Sequence, residues 1–533
     1  MHALSRALVA FPLFLALTAC GGKEPIDPEL GLDGPSSIRV IPGSAASVDL
    51  ALQRNETATD EVRLEVDGLP DGVTATFEPA VLPSTSSSTT LHLQAARDVE
   101  RGGFLVTVRA TGTDSLIAER QFALDIRGLS VEGRVHSTVF ELPPESLSVR
   151  IGTQSVASNP DGTFSFRDVA LPYDLEIEGV DFKERFLGLT TPTPNLSALL
   201  APPAGLVDAT FALVEGTVSP APVAGEEIVI CASGPLRAWV IDCNTLPVGQ
   251  TAFALEFRLL GIESAEVTLM ARRTVRQESV LTGFNGYAEQ TLTIESGRTS
   301  VAALNISSAS STAVPLALAD DDFDEVDLRS LTSFGANVDF GQSLDADEPV
   351  THVPDNGVSQ VMVMGATAGY QAQAMLLLPV HGPLDAPIEL PAPLTVHGPE
   401  VGEALSPEML FAVEAPGPGV NSFLLSRAYP TYVRLVHTNS DRIRLRDFGD
   451  DVNLEETYTW AGYHDAVLEN LDALAEQRSS LSQIIAMEMG EVARLVDRRY
   501  AVAYTSGGEL PATAGATQAA PAPRLRLPPL LDR

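Results

Sequence analysis

Three groups of residues in this chain are of types that do chemistry: an aspartate run, a cysteine pair and two tryptophans. In Asp320-Asp321-Asp322-Phe323-Asp324-Glu325-Val326-Asp327, the alternating Asp320, Asp322 and Asp324 offer three carboxylates from one loop. A calcium ion takes about six to eight oxygen ligands, so the run is a candidate calcium site. The spacing is not that of an EF-hand, because Glu325 stands where that loop needs glycine and Leu331 where it needs a bidentate glutamate. The competing reading is a solvated acidic linker. Cys231 follows Glu227-Ile228-Val229-Ile230 and Cys243 follows Trp239-Val240-Ile241, with Ser233-Gly234-Pro235 between them. A Gly-Pro pair punctuates a turn, so the two apolar runs are expected to approach each other. A disulfide then needs the α-carbons within roughly 7 Å. Closing a loop of about a dozen residues stabilises by roughly 3 kcal/mol in the chain-entropy model. Zinc is the competing ligand, but two cysteines without nearby histidines make a poor site. Trp239, inside the cysteine loop, and Trp460 are the aromatics available to stack on a sugar ring, with core packing as the competing role.

Motifs that build active sites are missing. There is no H-E-x-x-H, no G-x-S-x-G, no P-loop and no G-x-G-x-x-G after a strand. His92, His136, His352, His381, His397, His437 and His464 are scattered and read as surface or packed residues. Lysine occurs only at Lys23 and Lys183, which nearly excludes Schiff-base or P-loop lysine chemistry. The expectation is a protein that is not an enzyme and has no cofactor beyond the calcium candidate.

The stretch Leu17-Thr18-Ala19-Cys20 decides where these residues work. Arg6 forms a positive n-region, and Ala7 to Leu17, broken only by Pro12, has the length of a signal-peptide h-region and is too short for a membrane span. The stretch resembles the lipobox of bacterial lipoproteins. That resemblance implies removal of residues 1–19 as a signal peptide and acylation of Cys20 as the mature N-terminus. Gly21, rather than aspartate, implies the outer membrane. Acyl chains hold firmly in concert, each buried CH₂ adding roughly 0.8 kcal/mol. The competing reading is an ordinary secretory signal with an incidental cysteine.

Composition agrees with export. Of three cysteines, Cys20 leaves one pair, and exported thiols are oxidised. With 70 acidic against 34 basic side chains in 533 residues, the net charge of -36 opposes nucleic acid as a partner. An apolar content of 44% is ample for several cores.

Along the chain, residues 20–35 are a Gly, Pro and acidic tether, and residues 36–128 carry short alternating runs such as Val62-Arg63-Leu64-Glu65-Val66 and Phe104-Leu105-Val106-Thr107-Val108. With Gly68-Leu69-Pro70-Asp71-Gly72 and the Ser/Thr-rich strand after Pro79, this segment resembles bacterial immunoglobulin-like modules. Residues 129–213 open with Val131-Glu132-Gly133-Arg134-Val135 and contain Asp161-Gly162-Thr163-Phe164-Ser165-Phe166. They resemble the carboxypeptidase regulatory-like, transthyretin-like sandwich, a non-catalytic appendage. The opening recurs at Val214-Glu215-Gly216-Thr217-Val218, which marks a related module over 214–301 with the cysteine loop inserted and Gly283-Phe284 only loosely in the D-G-x-F place. A β module with the acidic loop is expected over 302–390. The strand-like runs Thr431-Tyr432-Val433-Arg434-Leu435-Val436 and Asp441-Arg442-Ile443-Arg444-Leu445, with Tyr458-Thr459-Trp460 later, give residues 391–506 a resemblance to fibronectin type III modules, and a disordered tail is expected over 507–533. In the last module Ala466, Leu468, Leu471, Leu474 and Ala475 recur at helical spacing. That helix is expected to pack on the sandwich, against the competing reading of an intermolecular coiled coil.

The chain is therefore expected to be all-β: tandem immunoglobulin-like and transthyretin-like sandwiches, one helix near the C-terminus and a disordered tail. Its expected role is a lipid-anchored structural, adhesive or scaffolding element of the cell envelope, with a protein or glycan partner at the surface. The alternatives are a glycan- or peptide-binding lipoprotein and a hydrolase with an unrecognised site.

Overall fold

The computed structural model describes residues 29–55, 61–112, 117–137, 147–179, 182–198, 209–235, 238–277, 280–319, 323–334, 337–344, 349–355, 357–367, 372–398, 405–414, 417–427, 432–465, 468–477 and 500–510. Among them the regular elements are strands, one short helix at Leu471–Gln477 and a 3-10 turn at Leu445–Phe448, so the fold is all-β. The helix lies near the C-terminus as expected; Cys20, the tether up to Pro28 and the tail beyond Leu510 lie outside the described residues. The chain divides into two compact units, Met1–Arg127 and Gly128–Arg533.

In the first unit a four-stranded sheet (Leu30–Asp33, Ala45–Arg54, Ser88–Ala95, Val73–Glu78) and a five-stranded sheet (Ser37–Val40, Ile117–Ile126, Gly102–Gly112, Val62–Asp67, Val81–Leu82) feed one apolar cluster. Period-2 alternation is what makes this possible: Val106, Val108 and Ala110 are buried while Leu105, next to them in the strand, is exposed.

The second unit is organised by a glycine repeated in two openings. Val131–Val135 runs in the strand Leu129–Ser137, antiparallel to Thr163–Val169 and parallel to Asn195–Ala198, with Gly133 opposite Phe164. Val214–Val218 runs in Ala209–Ser219, antiparallel to Ala252–Leu260 and parallel to Thr299–Asn305, with Gly216 opposite Phe253. At each glycine an added Cβ would collide with the phenylalanine ring, so the ring fills the space the missing side chain leaves. The cross-strand partner of the second opening is thus Phe253, shortly past the turn at Gly249, and not Phe284. The first turn forms as its composition demands, with Gly162 at φ 82° and the Asp161 carboxylate accepting from the Thr163 amide at 3.1 Å. Phe164 and Phe166 then point inward and Ser165 outward.

A twelve-stranded sheet runs through segments that read as separate modules. Ser148–Ile151, Gln154–Ala157, Tyr173–Gly179 and Phe182–Leu189 come from the early part of the unit. Val420–Arg427, Tyr432–Thr438, Tyr458–Asp465 and Tyr500–Leu510 come from its end, and Glu325–Phe334, Asn337–Ser343, Gly357–Ala366 and Ala372–Val380 from between. The early and late parts join where Phe182–Leu187 lies parallel to Val433–Thr438. One face of this seam enters a cluster with Val131, Phe164, Phe186 and Val420, the other a cluster with Phe411, Phe423, Leu425 and Trp460.

The helix packs across the seam. Leu468, Leu471, Leu474 and Ala475 are buried beside Val131 and Phe164, in the core of the early segment rather than in that of the surrounding late one. Ala466 lies outside the described residues. The Asn470 side chain caps the helix by accepting from the Ala473 amide at 2.9 Å. Asp472 accepts from the Thr190 and Thr191 amides at 2.7 and 3.0 Å. Leu471→Ala is expected to lower the stability of the second unit by about 2–5 kcal/mol, and exposed Glu469→Ala to stay within about 0.5 kcal/mol. Urea midpoints of the full chain measure both, and equal midpoints would refute the docking of this face.

Candidate functional site

Period 2 along Phe182-Lys183-Glu184-Arg185-Phe186 puts an acid between two phenylalanines on one face, and Val433, Leu435 and His437 share a face in the same way. Parallel pairing sets Phe186 opposite His437, and antiparallel pairing of Tyr432–Thr438 with Val420–Arg427 sets His437 opposite Ser422. The result is a relay: His437 Nε2 lies 2.6 Å from Glu184 Oε1, and His437 Nδ1 lies 2.7 Å from Ser422 Oγ. With the ring proton on Nε2, the imidazole donates to the carboxylate and accepts from the serine hydroxyl, a tautomer assigned from the network. The Phe186 ring stacks on the imidazole at 4.8 Å.

Serine, histidine and carboxylate in this order are the groups of a nucleophilic triad. A triad also needs its hydroxyl open to a substrate carbonyl and donors waiting for the oxyanion. Here Glu184 and His437 are 0% exposed and Ser422 4%. Glu184 Oε2 is buried without a hydrogen-bond partner among the described residues. What the arrangement does as it stands is fasten three strands.

The opposite face of the same strands carries an ion network. Lys183, 5% exposed, places Nζ 3.1 Å from Asp451 Oδ1, and Arg434 Nη2 lies 2.8 Å from Asp451 Oδ2. Glu176 receives Arg150, Arg185 at 3.3 Å and Lys183 at 3.7 Å. Burial pushes the Asp451 carboxyl up, but the Lys183 hydrogen bond and the charges of Arg434 and Lys183 outweigh it and hold the carboxyl below its ordinary range. Nearby, His464 Nδ1 donates to Asn421 Oδ1 at 2.9 Å, and burial lowers its pKa.

The same three groups meet once more, in the first unit, in solvent. Ser47 Oγ lies 2.8 Å from His92 Nδ1, and His92 Nε2 3.5 Å from Glu78 Oε2. The histidine side chain is 41% and the glutamate 85% exposed, so water competes for each contact.

The residues singled out in the sequence fall apart spatially. Cys231 and Cys243 form a disulfide, with α-carbons 4.7 Å apart. Their neighbour relation differs from the one expected: Ala238–Val240 pairs with Ala252–Leu260, and Asn244–Leu246 pairs with Glu226–Ser233, which sets Cys243 across from Cys231. The apolar run of the loop satisfies its backbone on the other sheet. Asp320 and Asp322 lie outside the described residues; Asp324 is exposed and its amide donates to the Ala366 carbonyl at 3.0 Å, at the start of a strand. Among the described residues no three His, Cys, Asp or Glu side chains gather as a metal site. Trp460 is buried against Phe411, ring centroids 5.2 Å apart. The Glu184 relay was not singled out in the sequence because its members are 253 residues apart; the available signal was a charged residue in phase with an apolar face. Compared with known proteins, the chain matches no family model and no curated protein.

Two outcomes test this site. Glu184→Ala, which leaves the buried His437 Nε2–H without its acceptor, is expected to cost about 1–3 kcal/mol, read in the urea transition of the full chain; an unchanged midpoint would refute the fastening role. Thiol labelling of the denatured, unreduced protein is expected to find neither Cys231 nor Cys243 free, and quantitative labelling of both would exclude the bridge.

Proposed function

We propose that this protein is a lipid-anchored element of the bacterial cell envelope, built of immunoglobulin-like and transthyretin-like β-sandwich modules and serving a structural, adhesive or scaffolding role at the outer membrane. The observation that carries this reading is the use to which polar chemistry is put. The buried Ser–His–Glu relay and the Lys183–Asp451–Arg434 network join strands from opposite ends of the Gly128–Arg533 unit. Groups that could attack or bind a small molecule are instead fasteners between segments, which suits a protein that carries load or holds partners. Three further features support it: the lipobox ending at Cys20, the module resemblances over 36–213, and a net charge of -36 that keeps an envelope protein soluble.

Anchoring follows from the lipobox, since acyl chains on Cys20 add their CH₂ contributions together. Cys20→Ala is expected to leave the protein soluble or uncleaved, lost from detergent extracts of lipid-anchored material. Fractionation that finds the mutant still membrane-anchored would overturn the anchoring half of the proposal.

A further inference from the structure

The strand Val73–Glu78 has one hydrogen-bonded neighbour, Ser88–Ala95, and is an edge of the four-stranded sheet in the first unit. Among the described residues no other element of the chain runs along its far side. The Ala96 amide donates to the Gly72 carbonyl at 2.7 Å. Pairs that exchange bonds alternate along an antiparallel ladder, so Thr74, Thr76 and Glu78 are the residues bonded across to Gln94, His92 and Thr90. The amides and carbonyls of Ala75 and Phe77 therefore point out of the sheet, and no hydrogen bond among the described residues uses them. Such a row is a template for another strand.

What limits the row also fixes its register. The Val73 amide is taken by the Pro70 carbonyl at 3.1 Å, and Pro79, next after Glu78, has no amide. The usable stretch is thus centred on Thr76, with Ala75 and Phe77 on either side. Against a second copy of itself, antiparallel about a two-fold axis at Thr76, Ala75 exchanges both main-chain bonds with Phe77 of the copy, and Phe77 does the same with its Ala75. Val73 and Pro79 face each other in this register, so no amide is left stranded there. Shifting the copies by one pairing either way leaves the Ala75 carbonyl facing Pro79 or the Phe77 carbonyl facing Val73, neither of which has an amide to give.

The side chains agree with that register on both faces. On the core side Ala75 and Phe77 are half-buried against the apolar cluster of the first unit, so pairing sets each phenylalanine beside the alanine of the other copy and covers both. On the solvent side Thr76 meets Thr76, a favourable cross-strand pair, and Glu78, 85% exposed, faces Thr74 rather than another acid. The net charge of -36 on each copy repels at long range, but at 0.15 M salt that repulsion is screened beyond about 8 Å. We propose that the Val73–Glu78 edge is a homotypic interface, at which two copies of this chain join their four-stranded sheets antiparallel about Thr76. The inference gives the scaffolding reading a means of assembly, and it does not rest on the lipid anchor.

The test uses the full chain carrying Cys20→Ala, in mild detergent at about 0.15 M salt, so that acylation has no part in it. Residues that face each other without exchanging bonds hold their α-carbons about 4.5 Å apart, within reach of a disulfide. Thr76→Cys is therefore expected to give a disulfide-linked dimer under mild oxidation. Thr74→Cys, which the register sets roughly 13 Å from its counterpart at about 3.4 Å per residue, is expected to stay monomeric. Adding Ala75→Pro, which removes an outward amide that the fold does not use, is expected to cut the Thr76→Cys cross-link at least tenfold with the melting temperature unchanged. Without the new cysteines, sedimentation is expected to show a concentration-dependent dimer whose dissociation constant Thr76→Lys raises at least tenfold, and this exposed variant decides the matter if Ala75→Pro does not fold. Failure of Thr76→Cys to cross-link, equal cross-linking by Thr74→Cys, a chain that sediments as monomer throughout, or a dimer that Thr76→Lys leaves intact would each overturn the proposal. None of these outcomes depends on where Cys20→Ala fractionates, so this inference and the anchoring proposal fail separately.

Discussion

The parallel seam between Phe182–Leu187 and Val433–Thr438 is the constraint on which the rest of the second unit depends. Parallel neighbours need a crossover, ordinarily one helix long. Here the crossover contains the cysteine-bearing sheets and the strands on either side of the acidic run. Loop-closure entropy grows slowly, each doubling of length adding about 0.6 kcal/mol, so a connection of this length is tolerable in stability. What it endangers is register, since nothing local aligns two strands that distant. A slip by one residue would turn Glu184 and His437 to the opposite face, and the partners on both faces would be lost. The relay on one face and Lys183, Arg434 and Asp451 on the other accept a single alignment. Buried ion pairs are weak evidence for stability but well suited to specifying one arrangement.

Helix docking closes the same seam from the side. Leu471 and Leu474 fill the core of the early segment, and Asp472 takes up the amides of Thr190 and Thr191 just past the seam strand. A helix of this length is marginal alone in water, so its order comes from packing and capping rather than propensity. The early core is therefore completed by residues from the far end of the chain.

Local grammar was legible in the sequence, and long-range pairing was not. Alternation located Val62–Asp67 and Gly102–Gly112, the Asp161-Gly162 turn announced Phe164 and Phe166, and helical spacing announced Leu471 and Leu474, although the helix starts at Leu471 and leaves the buried Leu468 ahead of it, because each signal needs only neighbours within a few residues. The recurrent Val-x-Gly-x-Val was visible as a repeat, but its partner does not lie at Phe284, where the loose D-G-x-F match pointed. The true partner, Phe253, follows a turn at Gly249 that lacks the aspartate of the first copy. The cysteines pair as expected but through a different strand, since the apolar run before Cys243 could serve either sheet and nothing local decides which edge is open. The twelve-stranded sheet was invisible for the same reason: a period-2 pattern says which face of a strand is buried and never which strand lies beside it.

The two Ser–His–Glu clusters follow from the geometry of adjacent strands. Residues directly opposite on adjacent strands hold their β-carbons about 4.5–5.5 Å apart, and diagonal neighbours stay within reach of long side chains. Serine opposite histidine with a glutamate diagonal to it will therefore fall into hydrogen-bond distance wherever the three occur on one face, as Ser47, His92 and Glu78 do in solvent and Ser422, His437 and Glu184 do in the core. What separates a hydrolase from such a ladder is access and an oxyanion cradle. The buried cluster lacks access and the exposed one is screened by water. In the core, the same three groups gain a different power: with water excluded, each unmade bond costs the desolvation of a polar group, so the ladder discriminates between the native alignment and its neighbours more sharply than an apolar row of equal size.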